Sequence, residues 1–93
     1  MKYFAAFSPM LDTEKNVTFR QDHLAYLKDK AEEGKVFAKG RFTDGVGGLV
    51  IYIAENLNEV EEIVKQDPYV VSGARGYEIH EWEMTVETSL NED

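Results

Sequence analysis

The stretch GLVIYIA, residues 48–54, is the part of the sequence that decides the fold. Its residues are mostly β-branched, aromatic or aliphatic, which is typical of a strand. Leu49, Ile51 and Ile53 would point to one side of a sheet, and the residues between them to the other side. A sheet that carries helices on one face only normally alternates apolar with polar residues. This strand is apolar on both sides, so we expect its second face to pack against another protein surface, most simply a second copy of the chain.

The segments around this strand predict the element order β-α-β-β-α-β. Right-handed crossovers then give a ferredoxin-like α+β fold, in which a four-stranded antiparallel sheet carries both helices on one face. The predicted elements are, in chain order, a strand at 2–8, a helix from an N-cap at Asn16 or Thr18 to about Glu33, strands at 35–42 and 48–54, a helix from Asn56 to just before Pro68, a loop or short turn at 69–74, and a strand from about Gly76 to about Val86.

Cap and turn residues support these boundaries. Gly34 is placed to end the first helix, and Asp44-Gly45 is a dipeptide typical of hairpin turns. Asn56, followed by Glu59, resembles a capping box at the start of the second helix.

The composition describes one small acidic domain. The chain has 93 residues and a net charge of −8, so it lacks the cation excess that nucleic acid or an anionic membrane surface would require. It contains no cysteine, which excludes disulfides and thiolate chemistry. No apolar run reaches the roughly 18 residues of a membrane span. We therefore expect a cytoplasmic domain over residues 1–88 with a frayed acidic tail at 89–93, and neither a metal nor a cofactor.

Arg20 is the first residue that does not fit its predicted surroundings. The stretch RQDHLAYL, 20–27, places Arg20 in line with Leu24 and Leu27, which belong to the apolar stripe of the first helix. A cation there must either extend past the helix end into solvent or meet an anion. Both alternatives stay open: Arg20 is a surface residue of the first turn, or Arg20 and His23 line a cleft at this end of the helix.

His23 and Asp67 are the candidate acid and base. A lone helical histidine is more often structural than catalytic, and the two histidines of the chain show no recognisable metal-site spacing. Asp67 follows the apolar stripe of the second helix; it either caps the turn that contains Pro68-Tyr69 or serves as a proton acceptor. Because the two helices of this fold run in the same direction, the two side chains need not meet within one chain. They would then meet across a dimer or not at all, and Asp44 would be the fallback partner of His23.

The segment GRFTDGVGG, 40–48, is also unusual. Gly47-Gly48 directly before a strand indicates either turn geometry, which is the simpler explanation, or a close approach of backbone. The segment has no P-loop lysine and no following helix, so a phosphate cradle is not indicated.

Together these features resemble the YCII-related (YciI-like) family. The resemblance extends over nearly the whole chain, from the first strand to the last. Its matching pieces are, in order, Arg20 with His23-Leu24, Gly34, Gly40-Arg41-Phe42, Asp44, Gly47-Gly48-Leu49, Asp67-Pro68-Tyr69, Gly73, Ile79 and Trp82. One position departs from the family pattern, because Arg41 stands where proline usually follows the glycine and adds a cation near the expected cleft.

The resemblance implies a ferredoxin-like protein of the dimeric α+β barrel group that forms a homodimer through its sheet. By match, the catalytic residues would be His23 and Asp67. The expected substrate-binding residues are Arg20, Arg41, Phe42, Gly47, Gly48 and Tyr69. One related branch of the family eliminates chloride from a chlorinated aromatic ring, and distant relatives isomerise lactones or act as oxygenases.

Three functions fit these observations. In the first, a cofactor-free enzyme, His23 is the general acid or base and Asp67 orients it. Arg20 and Arg41 would hold an anionic oxygen of a small substrate during an elimination or isomerisation. The second is a non-catalytic module that binds a small ligand in the same cleft. The third is a structural subunit, in which side chains close the cleft.

Overall fold

Four strands and three helices make up the part of the chain that the computed structural model describes, residues 1–88. The elements are, in chain order, β1 (Lys2–Pro9), α1 (Thr13–Glu32), β2 (Val36–Arg41), β3 (Gly47–Ala54), α2 (Leu57–Lys65), α3 (Pro68–Val71) and β4 (Glu78–Trp82). The strands form one antiparallel sheet in the order β2-β3-β1-β4, which confirms the predicted α+β fold.

The central strand pair sets which side chains share a face. β1 and β3 pair without a break from Lys2 opposite Ala54 to Pro9 opposite Gly47. Residues that face each other across a ladder lie on the same side of the sheet. Ser8 and its partner Gly48 therefore belong to the face that the helices cover.

The hydrophobic core lies between that face and the helices α1 and α2. Phe4 and Tyr52 of the sheet pack with Leu27 of α1 and Val60 of α2, and each of these side chains is at most 1% exposed. Burying a side chain of this size contributes roughly 1.5–3 kcal/mol to the free energy of unfolding. The helix-covered face therefore holds the domain together.

The opposite face of the sheet is also apolar, as the stretch 48–54 predicted. Tyr3 lies opposite both Ile53 and Trp82, and its ring meets that of Phe37 with centroids 5.5 Å apart. Phe37 and Trp82 are each 47% exposed. We call these residues, Tyr3, Phe37, Ile53 and Trp82, the open-face patch.

Helix α1 begins earlier than predicted. Its N-cap is Asp12, whose side chain accepts a hydrogen bond from the backbone N–H of Lys15 at 3.0 Å, so the predicted caps Asn16 and Thr18 were wrong. Aspartate caps a helix as well as asparagine does, and Asp12 comes first along the chain. The helix has 20 residues, and His23 consequently lies near its middle.

The second half of the chain departs from the prediction at α3, a helix where a loop or short turn was expected, and at β4, which begins at Glu78 instead of near Gly76. Asn56 accepts a hydrogen bond from the backbone N–H of Glu59 at 2.9 Å and caps α2, as predicted. β4 ends at Trp82 instead of about Val86, where its pairing with Tyr3 of β1 ends. The predicted tail at 89–93 lies outside the described residues.

Residues 1–88 contain neither a membrane-spanning helix nor a cluster of possible metal ligands. None of the helices there is both long and apolar enough to cross a bilayer. In the same range, no three side chains of His, Cys, Asp or Glu come together as a potential metal site.

Candidate active site

His23 and Asp67 form a buried pair. Nδ1 of His23 lies 2.8 Å from Oδ1 and 2.9 Å from Oδ2 of Asp67. The two residues are only 9% and 6% exposed. Buried polar groups need hydrogen-bond partners, and Oδ1 of Asp67 also accepts one from the backbone N–H of Tyr69 at 2.9 Å. The two side chains thus meet within one chain.

The path of the chain after α2 explains this contact. α2 ends at Lys65, and the short helix α3 then packs against α1. Asp67 is the N-cap of α3, so the capping role that the sequence left open is real, and the carboxylate meets free N–H groups. Asp44, the alternative partner, accepts a hydrogen bond from the backbone N–H of Val46 in the β2–β3 turn.

The contact with Asp67 fixes the form of the His23 ring. An ionised carboxylate can only accept hydrogen bonds, so in the neutral ring Nδ1 carries the proton and Nε2 holds the free lone pair. Nε2 has no hydrogen-bond partner within residues 1–88. In that range, every side-chain nitrogen that is fully buried has a hydrogen-bond partner. Because Nε2 has none, it is not fully buried and keeps some contact with solvent. His23 therefore presents an accessible proton acceptor.

A cavity of about 540 Å³ opens beside His23, between α1 and the strands β2 and β3. This volume is within the usual range for a small-molecule site. Five of the predicted site residues line it: Arg20, His23, Arg41, Gly48 and Tyr69. The cleft that the sequence left as one of two alternatives is therefore present, and Arg20 lies at its exposed edge.

The charges around the cavity are all positive. Its cations are Arg20, Lys39, Arg41 and Arg75, and no carboxylate of the described chain lines it. These four are a large share of the ten Lys and Arg residues in a protein of net charge −8. Such a local excess of cations favours an anionic ligand.

Tyr69 connects the acid–base pair to the cations. Its ring stacks on the His23 ring with centroids 3.9 Å apart and an angle of 16° between the planes. The guanidinium carbon of Arg75 lies 4.4 Å from the centroid of the same tyrosine ring. Because Tyr69 is only 3% exposed, packing fixes its ring and limits rotation of the His23 ring against it.

Comparison with known proteins identifies the family to which the chain belongs. A model of the YCII-related domain matches residues 1–83. The chain belongs to the YCII-related family. This YCII-related chain is similar to the uncharacterised protein YjpA of Bacillus subtilis (strain 168), with 30% identity over 82 residues that cover 84% of this chain and 96% of YjpA.

A solved structure has the same fold as this YCII-related protein. It is 5-chloro-2-hydroxyhydroquinone dehydrochlorinase (TftG) from Burkholderia phenoliruptrix AC1100, in complex with 2,5-dihydroxybenzoquinone. The TM-score is 0.78 at 21% sequence identity, and the match covers 89% of this chain and 95% of that chain. The likeness therefore extends over nearly the whole of both domains.

Phe42 is a predicted site residue of the YCII-related chain that lies outside the cavity. Its ring contacts Phe7 on the open face of the sheet, with centroids 6.0 Å apart. Consecutive residues of an extended segment point to opposite faces. Since Arg41 lines the cavity, its neighbour Phe42 points away from it and borders a shallower depression on the other face.

Gly47 is a further predicted site residue that does not line the cavity, as is Asp67, which contacts His23. The φ of Gly47 is +143°, and a Cβ at this position would collide with the carbonyl oxygen of Ser8. Few side chains tolerate that conformation, and none fits the space. The close backbone approach that the sequence left open is therefore present at Gly47, and it serves the β1–β3 contact instead of a ligand.

Arg75, Asn16 and Ser8 line the cavity although the sequence did not predict them as site residues. Arg75 donates from Nε to Oδ1 of Asn16 at 3.0 Å, and from a terminal nitrogen to Oγ of Ser8 at 3.3 Å. Asn16 was missed because the start of α1 was predicted too late along the chain and this residue was treated as a helix cap. Arg75 was missed because it lies in the loop between α3 and β4, where no helical or strand periodicity distinguishes it. The sequence therefore offered no signal for Arg75; its closeness to Gly48, where a Cβ would stand 2.7 Å from a terminal nitrogen of Arg75, is evident only in the structure.

Burial shifts the pKa values of three groups near Asp67. It raises the pKa of Tyr26 to about 12, and the nearby charge of Asp67 adds to the effect. Burial, followed by the charge of Asp67, also raises the pKa of Tyr52. Burial lowers the pKa of Arg75, whereas Tyr69 and Asp67 act in the opposite direction. Both tyrosines therefore stay neutral at physiological pH, and the arginine keeps its charge.

Proposed function

We propose that this YCII-related protein is an enzyme that catalyses an elimination or isomerisation on a small anionic or aromatic substrate by acid–base chemistry, without a cofactor. The observation that carries the proposal is the accessible Nε2 of His23 at the wall of a cation-lined cavity, with Nδ1 held by Asp67. A histidine held in one tautomer at a ligand-sized cavity is suited to take and return a proton.

The site residues have separate roles in this proposal. Nε2 of His23 takes a proton from an O–H or C–H group of the substrate and returns it to a second atom. Asp67 keeps the ring in the required tautomer and stabilises the imidazolium that forms. Arg20 and Arg41 at the exposed edge hold the negative oxygen that develops as the proton leaves.

The dehydrochlorinase of the same fold supplies the substrate class for a first test. Loss of HCl from a chlorinated trihydroxybenzene needs only proton transfers. One hydroxyl proton moves to the ring carbon that carries chlorine. A second hydroxyl proton is lost as chloride leaves with the electrons of the C–Cl bond. The products are a hydroxyquinone and HCl, so no external oxidant is required, and the proton transfers are within reach of one histidine.

The open-face patch supports a homodimer as the active form. Two of its aromatic side chains are 47% exposed in a single chain, and the central strand behind them is apolar on both sides. Pairing two such faces would remove this apolar surface from water. The helix-covered cavity lies on the other side of the sheet and would stay open in such a dimer.

Chloride release from 5-chloro-2-hydroxyhydroquinone under anaerobic conditions tests the enzymatic proposal. The wild-type protein should release chloride in step with hydroxyquinone formation, and His23→Asn should abolish release. Lys28→Gln, which changes an exposed residue of α1 that does not line the cavity, is the matched control. It should turn over as the wild type does.

A different result would favour the ligand-binding module. In that case 2,5-dihydroxybenzoquinone would stabilise the wild-type protein in a thermal shift assay, while no chloride is released. Release at the same rate in His23→Asn and wild type would contradict the role of His23 directly.

A further inference from the structure

Arg75 is an unusual residue for the floor of a cavity. It is 6% exposed, and no carboxylate of residues 1–88 forms an ion pair with it. Its contacts there are neutral: the amide oxygen of Asn16, the hydroxyl of Ser8 and the ring face of Tyr69. A buried charge is costly unless an anion compensates for it. The fold therefore leaves this buried cation without a carboxylate of the described chain in direct contact, although the more distant charge of Asp67 favours its charged form.

The free donors of Arg75 are directed toward the cavity. A guanidinium has five N–H groups, and the contacts with Asn16 and Ser8 use two of them. The second terminal nitrogen of Arg75 has no hydrogen-bond partner in the described chain. Every fully buried side-chain nitrogen there does have one, so this terminal nitrogen is in contact with solvent. Arg75 lines the same cavity as His23, and that cavity is where such access exists.

The geometry points to Arg75 as the anion anchor of this site, for a small planar ligand that carries a carboxylate or a similar pair of oxygens. The inference rests on the proposed function in one respect, since it names the charged group of the substrate that His23 would act on. A guanidinium held at Nε and at one terminal nitrogen offers its remaining N–H groups as a planar fork, which suits two oxygens of one anion. The stack through Tyr69 sets this fork at a fixed position relative to the His23 ring.

Gly48 is the second part of the anchor. A Cβ there would stand 2.7 Å from a terminal nitrogen of Arg75 and 2.9 Å from the carbonyl oxygen of Gly40. A side chain at position 48 would therefore displace the guanidinium, and it would also press on the backbone of β2. Gly48 was expected to bind substrate, and in this proposal it acts by positioning Arg75.

The test compares binding of two probes of equal size, 4-hydroxybenzoate and 4-hydroxybenzamide, by isothermal titration calorimetry. The wild-type protein should bind the acid at least tenfold more tightly than the amide. Arg75→Gln should remove this preference, and Arg75→Lys should recover only part of it, because lysine keeps the charge but not the planar fork. Gly48→Ala should also weaken binding of the acid, and Lys28→Gln, which removes the same charge from an exposed position outside the cavity, should not.

Nuclear magnetic resonance of the wild-type protein supplies a measurement that does not depend on the folding of any buried-site variant. The Nε–H signal of Arg75 should shift on addition of 4-hydroxybenzoate and stay in place with the amide. Equal affinities for acid and amide, absence of binding, or an unmoved Arg75 signal would each overturn the inference.

Failure of the anchor and failure of the proposed function are distinguishable. If the protein binds 4-hydroxybenzoate through Arg75 but releases no chloride, the role of Arg75 as the anion anchor is supported and the enzymatic proposal is contradicted. The second case is chloride release that depends on His23, together with a folded Arg75→Gln variant that binds 4-hydroxybenzoate as tightly as the wild type. That result would support the enzymatic proposal and contradict the role of Arg75 as the anion anchor.

Discussion

The carboxylate of Asp67 contacts Nδ1 of His23 with both of its oxygens, at 2.8 and 2.9 Å, across 44 positions of sequence. Asp67→Asn tests what this contact does for the chemistry. Asparagine fills the same space, but its amide can donate to Nδ1 and so favour the wrong tautomer. We expect the rate of chloride release to fall by about 10²–10⁴-fold, as for comparable histidine–carboxylate pairs, with little change in the circular dichroism spectrum. An imidazole ¹⁵N spectrum should show the proton moving from Nδ1 to Nε2; an unchanged tautomer would contradict the assigned role.

His23 also contributes to stability, because Asp67 is buried beneath it. His23→Ala leaves the carboxylate without its side-chain partner, and breaking a buried pair in this way costs about 3–5 kcal/mol. His23→Asn keeps a hydrogen-bond donor near the position of Nδ1, so its free energy of unfolding should fall by clearly less than that of His23→Ala. Urea unfolding at pH 7 measures both. If the two variants unfold at the same urea concentration as wild type, the pair is not the buried contact described above.

Tyr26 predicts how stability changes with pH. Its pKa is raised to about 12 in the folded protein, mainly by burial, and its hydroxyl donates to the carbonyl oxygen of Ile63 at 2.6 Å. The folded state therefore holds this proton more firmly than the unfolded state, in which a tyrosine titrates near pH ~10. The stabilisation that Tyr26 contributes to the folded state is therefore complete below pH ~10 and is lost as the pH rises toward about 12.

Urea unfolding at several pH values between 9 and 12 should show this loss. Tyr26→Phe should make the decline shallower without abolishing it, since Tyr52 also has a raised pKa. Tyr77→Phe removes a tyrosine that is 36% exposed and serves as the control, with an unchanged slope. A Tyr26→Phe slope that equals the wild-type slope would rule out this source of the alkaline transition.

Gly47 and Gly40 form a matched pair of glycines on the two strands that flank the β2–β3 turn. Gly47 has a φ of +143° and no room for a Cβ, whereas nothing lies within 4 Å of a Cβ at Gly40. Gly47→Ala should destabilise the protein by about 2–4 kcal/mol through strain and displaced backbone. Gly40→Ala should change the free energy of unfolding by less than about 1 kcal/mol. Thermal unfolding of the two variants makes the comparison, and equal melting temperatures would contradict it.

The open-face patch predicts the oligomeric state. Phe37→Asp places a charge among the aromatic side chains that a partner would cover, so the variant should be monomeric while the wild type is a dimer. Val71→Asp alters an apolar residue that is 71% exposed on α3 and should leave the dimer intact. Analytical ultracentrifugation distinguishes the species. A monomeric wild type, or a dimeric Phe37→Asp, would exclude this face as the interface.

The fold and half of the site followed from patterns that are local in sequence. Strand alternation at 48–54, the cap at Asn56 and the glycine after α1 each depend on a few neighbouring residues, and the structure confirms them. Arg20 and His23 attracted attention because a polar residue on or beside an apolar helix stripe is visible without coordinates. They do border the cavity.

The rest of the site depends on contacts between distant parts of the chain. Arg75 meets Asn16 and Ser8 across 59 and 67 positions, and neither a helical nor a strand period reports such a contact. Phe42 was misplaced because the strand period was not applied past Arg41. The meeting of His23 with Asp67 depends on the one-turn helix α3, which is too short for a periodic signal.

The contact between Gly48 and Arg75 also has an evolutionary consequence. A change of glycine to alanine takes one base substitution, and here it would push against both the buried cation and the backbone of β2. Ligand preference could then drift from acids toward neutral molecules while His23 and Asp67 stay untouched. Among related chains, the residue types at positions 48 and 75 should therefore vary together, with arginine retained only where position 48 lacks a side chain.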